Sequence, residues 1–167
     1  MEGEHRGDAP MNARPPAAAI LLGAAGVLPF LVLALAALSQ SEPEATRYLA
    51  WLVFYGAVIL SFLGAVHWGF VLAGGQAERA GLRLGLGVLP ALAGWVALWL
   101  DDAGVPAAAV GLLIAALLAV SAAEREFYIR GWLPRGYLWL RYLLTLVVML
   151  VLATTLTLRL LGARIVL

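Results

Sequence analysis

Tyr48–Ala73 reads YLAWLVFYGAVILSFLGAVHWGFVLA, with no Asp, Glu, Lys or Arg anywhere in it. Four further apolar stretches surround it, at Ala17–Leu38, Leu84–Leu100, Gly104–Ala123 and Tyr137–Leu161. Each stretch is roughly 17 to 26 residues long, which suits a helix crossing a bilayer core about 30 Å thick. Hydrocarbon offers no partner for a backbone N–H or C=O, so such runs must satisfy their own backbone and become helices. The reading is an all-α polytopic membrane protein with five transmembrane helices in one bundle. Residues 1–16 form a disordered cytoplasmic N-terminal segment and 17–167 the five-helix transmembrane domain.

Composition points the same way. Apolar residues make up 63% and charged residues 13%, against roughly 45–50% and 25% in a soluble domain. A net charge of +1 supplies no field for nucleic acid, which is therefore not expected as a partner. The chain has no cysteine, which excludes disulfides, thiolate metal sites and cysteine nucleophiles together. All eleven basic residues are arginines. With abundant Ala, Leu and Gly, that usage suggests a bacterial chain from a GC-rich genome.

The arginines set the expected orientation. One side of the membrane receives Arg6, Arg14, Arg79, Arg83, Arg125, Arg130 and Arg135, with Arg141 just inside the last span. The other receives Arg47, Arg159 and Arg164. Arginine-rich loops stay in the cytoplasm, so the expectation is an inner-membrane protein with a cytoplasmic N-terminus and a periplasmic C-terminus. Tyr48, Trp51 and Trp99 then fall at the outer interface, with Trp68, Tyr128, Trp132, Tyr137, Trp139 and Tyr142 at or near the inner one. Trp95 is deeper and is expected to pack between helices. A cleavable signal is disfavoured, because the first apolar run exceeds the usual 7–15 residues and Glu2, Glu4 and Asp8 precede it.

Local signals place the breaks. Ser41-Glu42-Pro43-Glu44 opens the second helix. Asp101-Asp102 with Gly104 and Pro106 makes a tight turn, and Gly131 and Pro134 part the last two spans. A short interfacial segment is expected around Trp132–Tyr137. Pro29 and Pro90 lie within spans and should bend them, with neighbouring helices covering the backbone groups they free. Both belong to a Gly-Val-Leu-Pro echo, Gly26–Pro29 and Gly87–Pro90. That would fit a parallel repeat of spans one–two and three–four. In span two, Ala57, Ser61, Ala65 and Gly69 form a small-residue stripe suited to close helix packing, and Gly81 and Gly85 offer a second such contact.

Taken together, Gly26–Phe30, Tyr55–Gly69, Leu84–Trp95 and Trp132–Thr145 resemble the domain of unknown function 3429 family, bacterial relatives of the mitochondrial transmembrane protein 69. The resemblance covers about Leu21 to the last span. It implies a small polytopic inner-membrane protein and brings no reaction, cofactor or catalytic residue.

His67 is the histidine that falls inside a span; His5 is in the tail. Ionisable groups within spans are expensive and often functional. His67 lies roughly 9 Å from mid-helix toward the arginine-rich side, at about 1.5 Å per residue. Glu124 and Arg141 fall at the same level, so His67, Glu124 and Arg141 form the candidate polar cluster. It reads first as a structural anchor and second as a proton-sensitive site or headgroup pocket. No metal or other cofactor is expected, since two such distant histidines cannot build a His-based site in one chain. No phosphate loop, Ser-His-Asp pattern or zinc-protease signature occurs, so no catalytic residue is assigned and the protein is read as not an enzyme. The expected partners are the lipid bilayer and either another membrane protein or further copies of this chain. The leading functional expectation is a non-enzymatic assembly or complex-associated factor. The alternative is a small transporter, channel or proton-coupled membrane protein.

Overall fold

The computed structural model describes residues 16–73, 80–131, 133, 135–163 and 165. Most of the expected N-terminal segment, the Gly74–Arg79 part of the loop, and Trp132, Pro134 and Arg164 lie outside the described residues. Five helices make the fold: α1 (Ala17–Ser39), α2 (Glu44–Leu72), α3 (Ala80–Asp102), α4 (Pro106–Ile129) and α5 (Arg135–Leu160). Each is long and apolar enough to cross a membrane. Among the described residues there is no strand.

The helices pack in ring order, α1 on α2, α2 on α3, α3 on α4, α4 on α5 and α5 back on α1, and α2 also reaches across to α4. The interface of α2 with α3 is the most extensive. Small residues explain it. A Cβ added at Gly64 would run into the carbonyl oxygen of Gly87, and one added at Gly94 would lie 3.0 Å from the carbonyl oxygen of Ala57. The two contacts are one heptad apart on antiparallel helices, so the backbones touch at two levels. Without a hydrophobic drive between helices in lipid, such close approach is what holds spans together. On its α4 side, α2 presents Gly56, where a Cβ would meet Leu113 Cδ1 at 2.6 Å.

Two packing expectations are corrected here. The face of α2 that packs carries Gly56, Leu60, Gly64 and His67; Ser61, Ala65 and Gly69 of the expected stripe are exposed, as are Gly81 and Gly85. Trp95 does not pack between helices and is 66% exposed. Its neighbours Gly87, Pro90, Gly94 and Ala97 occupy the buried side of α3, and at about 100° per residue Trp95 is turned away from them.

α1 and α3 each continue through their proline. Proline removes one N–H and frees the carbonyl four residues earlier. One position on from each freed group, the glycine carbonyl of the Gly-Val-Leu-Pro echo faces α2. Gly26 accepts a hydrogen bond from the Tyr55 hydroxyl at 2.9 Å, and the Gly87 carbonyl abuts Gly64. The echo thus serves α2 from both of its flanking helices. Tyr55 also packs edge-on against Phe30, ring centroids 4.9 Å apart. Tyr55→Phe, which keeps that packing and loses the hydroxyl, is expected to cost about 1 kcal/mol. A detergent melting curve superimposable on the native one would show that the bond contributes nothing.

The ends of the bundle are tied down by local chemistry. Gly104, at φ 78°, closes α3: Val105 N–H bonds to Leu100 O and Gly104 N–H to Asp101 O, both at 3.0 Å. That left-handed residue is one only glycine adopts without strain. Before α2, the Glu42 carboxylate accepts from Thr46 N–H at 3.1 Å and Thr46 Oγ1 at 2.7 Å. It also pairs with Arg159 of α5 at 2.8 Å. The bonds from Thr46, then Arg159, hold its carboxyl below the ordinary value of 4.5. A lowered folded-state pKa stabilises above the unfolded value and is lost as pH falls through the folded one. Melting temperature should therefore fall slightly between about pH 5 and pH 3. In Glu42→Gln that part of the slope should vanish; an unchanged slope would count against the pair.

Candidate polar cluster at the arginine-rich end

Helix lengths exceed the apolar runs, and that places the site. α3 starts at Ala80, ahead of the expected Leu84, so Arg83 belongs to its first turn. α4 runs on to Ile129, so Glu124 lies inside the helix with Phe127 one turn later. α5 begins at Arg135, which sets Tyr137, Arg141 and Thr145 on successive turns of one face.

The structure brings His67, Glu124 and Arg141 together. Glu124 is fully buried, His67 is 3% exposed and Arg141 8%. Glu124 Oε1 is the hub. It accepts a hydrogen bond from the Tyr137 hydroxyl at 2.9 Å, lies 3.4 Å from Arg141 Nε and 4.0 Å from His67 Nε2. Arg141 Nη1 donates to the Thr145 hydroxyl. The His67 ring packs edge-on to Phe127, centroids 5.3 Å apart, and the Arg83 guanidinium lies over the other partner of that contact, 5.7 Å from the Phe127 ring centre.

Three further members were not expected from the sequence. Arg83 is 1% exposed, although its place beside a loop read as solvated. Tyr137 read as an interfacial aromatic and instead bonds the hub. Thr145 is 3% exposed. One signal existed for the last two: Tyr137, Arg141 and Thr145 recur every four residues, a polar stripe along an otherwise apolar span. Nothing comparable marks Arg83.

Chemically, the cluster is a buried carboxylate held between a guanidinium, a phenol and an imidazole. Arginine stays charged in any protein setting, so the carboxylate is the counter-charge that makes burial of Arg141 tolerable. The side chain of His67 also forms part of the wall of a cavity of about 170 Å³ between α3 and α4. Among the described residues, no group of three or more His, Cys, Asp or Glu is placed to hold a metal ion.

Residues 15–157, most of this bundle and all of the cluster, match the family described as "Protein of unknown function (DUF3429)". The chain belongs to that family. It is also similar to Transmembrane protein 69 of Xenopus tropicalis, 38% identical over 90 residues, which is 52% of this chain and 34% of that relative. The chain therefore spans about a third of the length of the curated relative it matches. No solved structure matches it. Family membership and five spanning helices make this a multi-pass membrane protein of the DUF3429 family.

Proposed function

We propose that this protein is a non-enzymatic assembly or complex-associated factor of the bacterial inner membrane, with its N-terminus cytoplasmic and its C-terminus periplasmic. One observation carries the functional part: five hydroxyl side chains of the spans bond to the protein's own backbone carbonyls. Ser61, Ser121 and Thr155 each donate to the carbonyl four residues back in their own helix, at 3.0, 2.9 and 2.8 Å. Tyr55 and Tyr142 donate to backbone carbonyls of neighbouring helices. A conducting path needs such groups along a pore. Apolar side chains are left for outside contact, among them the exposed row Val88, Leu92, Trp95 and Trp99 along α3.

Crosslinking in native membranes followed by mass spectrometry tests the reading. A recurrent heteromeric membrane partner is expected. Crosslinks confined to copies of this chain would overturn it in favour of a small transporter or proton-coupled protein built as an oligomer. The orientation rests on the arginine asymmetry. The Glu42–Arg159 pair and the bond from Ile165 N–H to Leu38 O at 3.0 Å put the α1–α2 loop and the end of α5 at one end of the bundle, as five spans require. An export-dependent reporter fused after Leu167 should be active; activity of a cytoplasm-dependent reporter at that site would reverse the assignment.

A further inference from the structure

Two arginines at the arginine-rich end stand outside every ion pair of the bundle. Arg130 pairs with Glu126 at 2.6 Å and Arg159 with Glu42 at 2.8 Å. Arg47 lies over the Trp51 ring, and Arg83 and Arg141 are buried in the polar cluster. Arg125 of α4 and Arg135 of α5 are exposed. Among the described residues, neither has a carboxylate within ion-pair distance.

Both arginines flank the same seam on the same side. α4 and α5 meet where the Tyr142 hydroxyl donates to the Ser121 carbonyl at 3.2 Å. Arg125 follows Ser121 by one turn and Arg135 precedes Tyr142 by two, so they are displaced from the seam by only about 40° and 20° round their helices. Glu124 of α4 and Arg141 of α5 turn inward from the seam and are buried; Arg125 and Arg135 fall on its outward side. The Arg125 charge is close enough to the Tyr142 hydroxyl to act on it, which fits that placement. At 1.5 Å per residue the two arginines lie about 6 and 10 Å beyond the Ser121–Tyr142 contact, hence about 4 Å apart in depth.

Trp139, Leu143 and Leu146 of α5 and Leu118 of α4 are exposed and continue the outward side of the seam toward mid-membrane. Two cations at headgroup depth above an indole and a run of leucines match a phosphate carried on acyl chains. Guanidinium groups present parallel N–H donors to phosphate oxygens. The headgroup is one without an ammonium: Glu126, the exposed carboxylate next to Arg125 in the chain, is held by Arg130, so a zwitterion would bring a cation to a site that already has two.

We propose that the arginine-rich end of the α4–α5 seam binds one anionic diacyl phospholipid, its phosphodiester between Arg125 and Arg135 and its acyl chains along Leu118, Leu143 and Leu146. The site is complete within one chain. It stands whether or not the protein acts as an assembly factor, and whichever leaflet this end faces.

The test is native mass spectrometry of the full chain with equimolar phosphatidylglycerol and phosphatidylcholine of identical acyl chains. One retained phosphatidylglycerol is expected, preferred on the order of tenfold. Arg125→Gln/Arg135→Gln should bring the two lipids to near parity, with each single variant between. Arg130→Gln is the control, because it removes the same charge from the same end but from an arginine already paired; native preference is expected there. Equal retention of both lipids by the native chain would overturn the proposal. So would a loss in Arg130→Gln equal to that in Arg125→Gln, which would mean attraction to the positive end as a whole. Should the double variant not fold, the single variants decide, and native preference in both would overturn the proposal as well.

Discussion

Glu124→Ala is expected to destabilise the protein by on the order of 3–5 kcal/mol, the cost of stripping the partner from a buried charge. The carboxylate is fully buried, and Arg141, 8% exposed, has its guanidinium 3.4 Å away. Arg141 cannot shed its charge. Without Glu124 it would keep the Thr145 hydroxyl as a neutral acceptor, while Tyr137 would lose the oxygen it donates to. Removing both charges is a different matter, because an apolar pair of similar volume avoids the desolvation of either ion. The double variant Glu124→Leu/Arg141→Met should therefore melt well above Glu124→Ala in the same detergent. Glu124→Gln, which keeps an acceptor for Tyr137 but no charge, should fall between. If Glu124→Ala melts like the native protein, or the double variant is no better than the single one, the ion pair does not hold this end of the bundle.

Gly64→Ala should cost about 3 kcal/mol, at the upper end of what one surplus methyl usually costs a packed core. The added carbon would run into the Gly87 carbonyl oxygen. That atom is backbone in a helix and cannot swing aside, so α2 and α3 must separate along their whole interface. Gly69 provides the control. It lies one turn and a half further along α2 and a Cβ there would meet nothing within 4 Å. Gly69→Ala should be neutral or slightly stabilising, because alanine loses less backbone entropy in a helix than glycine. Equal melting temperatures for the two variants would mean that the close approach is not what joins these helices.

The polar cluster was partly legible before any coordinates. His67, Glu124 and Arg141 could be set at one depth by counting residues along three apolar runs, because helical rise is constant. Depth is a one-dimensional quantity and the chain carries it. Which residues share a face across different helices is not, and there the reading failed. Arg83 looked like a loop cation because charge marks the end of an apolar run, yet α3 begins before it and carries it into the bundle. Tyr137 looked like a headgroup anchor because amphipathic aromatics usually are, yet it donates to Glu124.

The chain by itself determined the number of spans, their limits to within about two turns, and the end of the bundle at which His67, Glu124 and Arg141 lie. Those follow from length, hydropathy and turn residues, each a local property. Only the tertiary structure decided which face of α2 packs, that Trp95 looks outward, and that a cavity of about 170 Å³ lies beside His67. The physical reason is the solvent. Lipid satisfies an apolar side chain as well as a protein core does, so hydrophobicity distinguishes neither the inside of the bundle from its outside nor one helix face from another. Close fit makes that choice, and fit belongs to pairs of helices such as Gly64 on Gly87.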